Sequence, residues 1–310
     1  LFALEEFGVN IVAAQGHYNI SVAKKPAGRF ALYEVGDTVT ENAVMAAAQT
    51  TQTTEIDFAS ANYMVQDVCF FLQKLGVRIE GIGTSSLKIT GVAGPIKKNI
   101  TYTPTEDPIE AMLFISAAVA TNSKITINRA PIDFITIELL KLKKMGLKVT
   151  MTERYKAEND KTDLVDLTVH KHNGNLHALT DKIHPLPYPG LNIDNLPYFV
   201  PIACVAQGRT LIHDWIYENR AIHYTELTKI GANVELADPH RLYVFGPTKF
   251  SRADVVCPPA LRPASLLLIG ILAADGISTL RNIYTINRGY EDIAERLNSL
   301  GAHITVFQDV

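Results

Sequence analysis

The sequence predicts an α/β fold, α+β in its hairpins, assembled from repeated units of ~70 residues. Three observations carry that prediction. First, one short pattern recurs along the chain: "EFGVNIVA" from Glu6, "KLGVRIEG" from Lys74, "KMGLKVTM" from Lys144, "KIGANVEL" from Lys229 and "SLGAHITV" from Ser299. Its glycines, Gly8, Gly76, Gly146, Gly231 and Gly301, are 68, 70, 85 and 70 residues apart. Second, an alanine-rich run, a polar turn and a β-branched run recur as "VMAAAQTTQTTEIDF", "FISAAVATNSKITINRA", "PIACVAQGRTLIHDW" and "LIGILAADGISTLRNIY". Third, alternating segments such as "SSLKITGV" and "HRLYVFGP" follow some glycine copies and add hairpins to the helix–strand alternation.

Each element follows from its residues. In "YEDIAERLNSL" the apolar side chains Ile293, Leu297 and Leu300 fall on one stripe of a helix. Glycine then stops the helix, because it takes the left-handed conformation without steric penalty. "AHITV" alternates small or apolar with polar residues, as a half-buried strand does. The unit is therefore helix, turn, strand, helix, glycine, strand. Four such units follow one another, and "FGVNIVA" is the tail of a fifth. Because the chain opens within the second helix of a unit, an N-terminal region is expected to precede Leu1.

A chain of 310 residues can hold two cores. Hydrophobic content of 47% and charged content of 20% are those of an ordinary globular protein. The net charge of −3 gives no support for a nucleic-acid partner. No apolar run approaches the ~20 residues of a membrane span. Cys69, Cys204 and Cys257 have no paired spacing, which points to a reducing, cytoplasmic setting. A run of Gly, Pro and Lys with no helical period begins at Gly94 and Pro95, and sets the expected domains at 1–95 and 96–310, the first lacking its opening unit. The proline-rich segment "HPLPYPGLNIDNLPYFVP" is expected to be an ordered loop of the second domain, since Tyr188, Tyr198 and Phe199 need somewhere to pack.

Candidate chemistry lies at strand-to-helix junctions. "YENRAIHY" and "TINRGYED" place Arg220 and Arg288 at corresponding positions at the mouths of two helices. Free backbone N–H groups and a planar guanidinium together suit a phosphate or carboxylate. Surface ion pairing is the plain alternative for either arginine. Arg262, before the apolar helix "ASLLLIGILAA", is a third such residue. Asp194, the one acid of the proline-rich loop, suits a general base or a turn cap. "VGDTVTENAVMAAA" sets Gly36, Thr38 and Thr40 ahead of a helix, as a phosphate loop or as an N-cap by either threonine. "HKH" at residues 170–172 has no cysteine or carboxylate at ligand spacing, so no metal is expected.

The segments "YEVGDTVTENAVMAAA", "PYPGLNID", "YENRAIH", "LRPASLLLIGILA" and "INRGYEDIAERLNSLGA", in that order, resemble the enolpyruvyl transferases of the UDP-N-acetylglucosamine 1-carboxyvinyltransferase family. The resemblance implies an inverted α/β prism of two three-unit domains, and transfer of the enolpyruvyl group of phosphoenolpyruvate to the 3-hydroxyl of UDP-N-acetylglucosamine in peptidoglycan precursor synthesis. It implies no cofactor. On it, Asp194 is the base toward that hydroxyl. Arg220, Arg288 and Arg262 hold the phosphoenolpyruvate anion, with Arg288 counted beside Asp194 as catalytic. The main chain of Val35 and Gly36 cradles the UDP phosphates, and Ile216 lines the sugar-nucleotide site.

Two departures stand out. The family's Lys-Asn pair and its Cys or Asp loop would precede Leu1, and its Asp-Leu-Arg reads Ala260-Leu261-Arg262 here. On that basis the 310-residue chain alone is expected not to turn over. Two alternatives stay open: a non-catalytic sugar-nucleotide-binding relative, and an enolpyruvyl transferase with another acceptor.

Overall fold

The computed structural model describes residues 2–23, 28–94 and 98–307. Pro95, half of the expected domain break, lies outside them. The chain forms two compact units. The first is Leu1–Thr105 with Lys156–Asp163 and Pro187–Pro189; the second is Glu106–Tyr155, Leu164–Leu186 and Gly190–Val310. This division falls after Thr105 and not after residue 95. The polar run beyond the break folds back on a helix of the first unit: the Tyr102 hydroxyl donates to Asp67 Oδ1 at 2.7 Å, and the Thr105 N–H and hydroxyl donate to the same oxygen at 2.8 Å each. The run without regular period begins after the last strand of the sheet, Ser86–Thr90, whereas the contacts change only after Thr105.

In the first unit α1 (Phe2–Glu5) leads through Gly8 into the antiparallel hairpin β1 (Val9–Ala14) and β2 (His17–Val22). There follow β3 (Arg29–Ala31), α2 (Asp37–Ala47), β4 (Thr53–Asp57), α3 (Tyr63–Leu75), β5 (Arg78–Glu80) and β6 (Ser86–Thr90). The strands β3-β4-β6-β5 make one sheet, with β3 and β4 parallel and the other pairs antiparallel. Ala43, Val44 and Ala47 of α2 meet Val65, Cys69 and Leu72 of α3 over Ile56, Leu87 and Ile89 of the sheet. That packing puts the spacing of four along each helix, and of two along each strand, to work on one core.

From Glu106 onward, in the second unit apart from the segments Lys156–Asp163 and Pro187–Pro189, the chain runs α4 (Pro108–Ala120), β7 (Ile125–Pro131), α5 (Thr136–Lys144), β8 (Val149–Met151), β9 (Tyr155–Lys156), β10 (Asp163–Val169), α6 (Phe199–Val205), β11 (Gly208–His213), β12 (Asn233–Asp238), β13 (Arg241–Gly246), β14 (Asp254–Val256), α7 (Leu261–Leu272), β15 (Thr279–Arg281), α8 (Tyr284–Asn287) and α9 (Ile293–Ser299). A 3₁₀ segment, Arg220–Ile230, joins β11 to β12. The helices α4, α6 and α7 pack on one another. Every residue of α4 except Glu110 is buried, which explains why that helix is apolar on all sides. Three sheets accompany this helical core: β7-β10-β8 with β9 on β10, β11-β13-β12, and the parallel pair β14-β15.

The repeat is visible at the glycines. Gly76, Gly146 and Gly231 sit at φ 106°, 97° and 91° between a helix and a strand. At Gly231 the helix being stopped is 3₁₀ and not α. Gly301, at φ 101°, follows α9, but the expected strand "AHITV" does not form among the described residues. A strand exists only with a ladder partner, and no described strand pairs with residues 302–307. The proline-rich loop is ordered as expected. Its end turns through a 3₁₀ segment, Leu196–Tyr198, into α6, and Tyr198 and Phe199 are fully buried.

Candidate functional site

The sequence places Asp194 four residues ahead of Tyr198, and the fold uses that buried aromatic to pin the loop. The Ser116 hydroxyl of α4 donates to the Tyr198 carbonyl at 2.8 Å. From α5, Glu138 Oε1 accepts the Asn192 N–H at 3.1 Å and Asn195 Nδ2 at 2.8 Å. Within the loop, the Asp194 N–H donates to Asn192 Oδ1 at 2.8 Å. Glu138 is only 1% exposed, and burial holds its carboxyl above the ordinary range.

So held, Asp194 lies between two arginines. Arg220 Nη1 is 3.3 Å from Asp194 Oδ1, and Arg262 Nη2 is 3.7 Å from Oδ2. Neither arginine is free to swing. Arg220 is 8% exposed and begins the 3₁₀ segment after Asn219, which sits at φ 59°. Its Nε donates to Asp214 Oδ2 at 2.6 Å, its Nη2 donates to the Ile193 carbonyl at 2.8 Å, and its guanidinium lies 4.4 Å from the centre of the Tyr217 ring. The buried Tyr224 hydroxyl also donates to Asp214 Oδ2.

Arg262 stands in the first turn of α7, where Nη1 donates to the Tyr290 hydroxyl at 2.6 Å. Tyr290 in turn shares a short hydrogen bond with Tyr198. The Ser265 hydroxyl, which donates to the Arg262 carbonyl at 2.8 Å, is 3.3 Å from the same Tyr198 oxygen. Burial disfavours charge on Arg262, but the attraction of the acidic groups around it, Asp194 and Asp107 among them, outweighs that and raises its pKa further. Burial likewise raises the phenols of Tyr198, Tyr224 and Tyr290. The network therefore holds two fixed cations and two fixed carboxylates among neutral hydroxyls.

Of the residues singled out from sequence, the structure joins Asp194, Arg220 and Arg262 in this network. Arg288 is placed differently. It caps the C-terminal end of α8 rather than opening a helix, it is exposed, and it has no ion-pair partner among the described residues. The left-handed residue preceding α9 is Asp292, not Asn287, so the two Asn-Arg pairs do not occupy corresponding turns. Ile216 is exposed in the loop before Arg220, beside Trp215, whose indole N–H donates to the Pro185 carbonyl at 3.0 Å.

Val35 and Gly36 belong to the first unit. Gly36 is the N-cap of α2 at φ −121° and makes no side-chain cap, so neither Thr38 nor Thr40 caps that helix. The Thr40 hydroxyl instead donates back to the Gly36 carbonyl at 2.7 Å and accepts the Ser60 N–H at 2.9 Å. Asp37 in the first turn receives the Ser60 hydroxyl and Asn62 Nδ2. All three cysteines are buried, and burial pushes Cys69 and Cys204 up to about 12 and Cys257 up to about 11. No helix among the described residues is long and apolar enough to cross a membrane.

Sequence reasoning missed Asp214, Glu138, Tyr198 and Tyr290 as parts of the site. Tyr290 stands within "RGYE", which was the one available signal. Glu138 reaches the site from a position distant in the chain, while Asp214 and Tyr198 stand six and four residues from Arg220 and Asp194 with no local pattern to mark them. A cavity of about 410 Å³ in the second unit, bounded by residues such as Glu106, Glu110, Phe114, Arg129 and Arg296, is lined by none of the network residues.

The class that this repeat fold defines is the enolpyruvyl transferases. The enolpyruvyl transferase NikO from Streptomyces tendae superposes with a TM-score of 0.79 at 25% identity, covering 97% of this chain and 70% of that one. EPSP synthase from Acinetobacter baumannii shares the fold, with a TM-score of 0.72 at 18% identity over 96% of this chain and 69% of that one. In sequence, the UDP-N-acetylglucosamine 1-carboxyvinyltransferase of Campylobacter jejuni subsp. jejuni is 31% identical over 309 residues, 100% of this chain and 70% of the relative. That of Campylobacter hominis is 33% identical over 304 residues, 98% of this chain and 68% of the relative. The EPSP synthase (3-phosphoshikimate 1-carboxyvinyltransferase) family profile matches residues 1–297, and the chain belongs to that family.

Proposed function

We propose that the chain carries the second-unit machinery of an enolpyruvyl transferase acting on phosphoenolpyruvate and UDP-N-acetylglucosamine, in the cytoplasm. The observation that carries the reading is Asp194 held between Arg220 and Arg262. A carboxylate that is fixed, and 24% exposed at its side chain, can accept the proton of an acceptor hydroxyl. Two guanidiniums within ion-pair reach of it can hold the anion whose C2 that hydroxyl oxygen attacks, and whose phosphate then leaves.

Arg288 has the complementary quality of an exposed cation with no ion-pair partner among the described residues, and in this reading it meets the phosphoenolpyruvate anion as well. Ile216, Val35 and Gly36 are assigned to the sugar nucleotide, Ile216 through its exposed side chain and the other two through the main chain at the start of α2. The names of the relatives from Campylobacter support this acceptor over another.

Calorimetric titration with UDP-N-acetylglucosamine, in the absence and presence of phosphoenolpyruvate, tests the reading. Binding of the sugar nucleotide, strengthened by phosphoenolpyruvate, with phosphate release by the 310-residue chain alone staying close to background, is the expected result. Absence of binding by both compounds overturns it. Binding of the nucleotide alone, indifferent to phosphoenolpyruvate, would make the chain a non-catalytic sugar-nucleotide binder.

A further inference from the structure

Arg220 has two carboxylates to choose between, and the distances show which one holds it. Asp214 Oδ2 is 2.6 Å from Nε, whereas Asp194 Oδ1 is 3.3 Å from Nη1. Asp214 is itself immobile. It stands just after β11, fully buried; its N–H donates to the His240 carbonyl at 2.7 Å, and its carbonyl is 2.9 Å from His240 Nδ1. The Tyr224 hydroxyl, fully buried four residues beyond Arg220, donates to the same Oδ2. Asp214 Oδ1 has no hydrogen-bond partner among the described residues. One oxygen therefore carries the whole anchorage, and it acts on the Nε edge of Arg220.

We infer that Asp214 is a positioning residue for phosphoenolpyruvate binding: it sets the plane of the Arg220 guanidinium and keeps it from closing onto Asp194. A guanidinium gripped at Nε cannot turn its Nε–Nη edge toward a second carboxylate, so a bidentate pair with Asp194 on that edge is blocked. Nη1 then meets Asp194 by one long contact, which leaves N–H groups of Arg220 for an incoming anion and leaves Asp194 unpaired enough to accept a proton. Without the carboxylate at position 214, the nearest remaining acid for Arg220 is Asp194. The two would close on each other, and both functions would be lost together. Removing a buried negative charge also makes the surroundings more attractive to an anion, so the two effects oppose each other. The positioning effect dominates, because the grip on Nε is a short charge-assisted bond within a buried network.

This inference rests on the reading that Arg220 meets phosphoenolpyruvate, so Arg220→Ala is measured alongside. In Asp214→Asn, phosphoenolpyruvate affinity measured by calorimetry in saturating UDP-N-acetylglucosamine is expected to fall about tenfold or more, the usual effect of losing one charge-assisted hydrogen bond. Affinity for UDP-N-acetylglucosamine alone should change less than about twofold, a split that a general loss of structure would not produce. Unchanged or tighter phosphoenolpyruvate binding in Asp214→Asn, with clear loss in Arg220→Ala, overturns the inference and leaves the functional reading standing. No loss in Arg220→Ala overturns both. If Asp214→Asn is not recovered folded, Tyr224→Phe decides: it keeps every charge and removes one of the two donors that fix Oδ2. It should weaken phosphoenolpyruvate binding by about threefold, and no change there overturns the inference.

Discussion

Two junctions of the second unit, "DWIYENRAIHY" after β11 and "NIYTINRGYED" after β15, carry the same Asn-Arg pair in the same register, yet treat the arginine in opposite ways. At the first, Arg220 is buried and bound on three nitrogens. At the second, Arg288 is exposed at the end of a short helix. The difference lies in the residues around the pair. Six positions upstream stands Asp214 in one case and Asn282 in the other; three upstream, Tyr217 and Thr285; four downstream, Tyr224 and Asp292. The first junction supplies an acid, an aromatic face and a phenol, which together neutralise and clamp a guanidinium. At the second no acid or ring among the described residues pairs with the arginine, which is presented to solvent. In the functional reading proposed above, the anion site is built from unlike halves: one cation fixed beforehand by the protein, the other left open until ligand arrives.

The comparison breaks most readily at the arginines themselves. Arg220→Ala leaves Asp214 buried without its counter-charge, and should cost about 3–5 kcal/mol of stability by denaturant or thermal unfolding. Arg288→Ala removes an exposed side chain and should stay within about 0.5 kcal/mol of the parent. Both should lose phosphoenolpyruvate affinity. A large stability loss in Arg288→Ala would show that this arginine is held as firmly as Arg220, and the contrast would fail.

The loop that carries Asp194 provides a middle-sized test. Glu138→Ala unpairs the Asn192 N–H and the Asn195 amide together, for an expected loss of about 1–3 kcal/mol. Glu138→Gln keeps an acceptor and removes the charge. Because burial holds the Glu138 pKa above its ordinary 4.5, the folded protein keeps that proton to higher pH than the unfolded chain does. The protonated group's contribution is therefore full below the ordinary value, and declines as pH rises toward the raised one. Relative to the parent, Glu138→Gln should gain stability with rising pH across that window, followed as the difference in thermal midpoint between the two proteins. A difference that does not vary with pH would mean that the Glu138 carboxyl titrates alike in the folded and unfolded chains.

These residues also mark what was legible in sequence. The helix stops were, because a glycine that must take positive φ recurs at a near-constant interval, and local chemistry dictates its role. Asp194, Arg220 and Arg262 were legible through the motifs that contain them. Asp214 was not, since "LIHDW" reads as an ordinary strand end, and nothing local shows that its carboxylate faces a residue six positions on. Glu138 lies 56 residues before Asp194 in a helix whose other charges are solvated lysines, and burial alone distinguishes it. The expected structural equivalence of the Arg220 and Arg288 junctions failed for the same kind of reason. Identical dipeptides fixed neither backbone conformation nor burial, both of which were decided by neighbours outside the motif.

The smallest effect sharpens the same contrast at the glycines that end the two junction segments. Gly231 closes the 3₁₀ segment begun by Arg220, and Gly301 closes α9; both sit in the left-handed region, at φ 91° and 101°. An alanine at either position carries the left-handed backbone penalty of about 1–2 kcal/mol. At Gly301 an added Cβ meets nothing within 4 Å, so that penalty should be the whole cost. At Gly231 the Cβ would stand 3.2 Å from Ser251 Oγ and 3.4 Å from the Lys249 carbonyl oxygen, so the tight junction must also yield a few tenths of an ångström. Its cost should exceed that of Gly301→Ala by about 0.5–1 kcal/mol, the low end of overpacking penalties. Urea unfolding of the two variants beside the parent measures both. Equal losses would mean that Ser251 moves aside freely, and that the first junction is less rigid at its end than at its arginine.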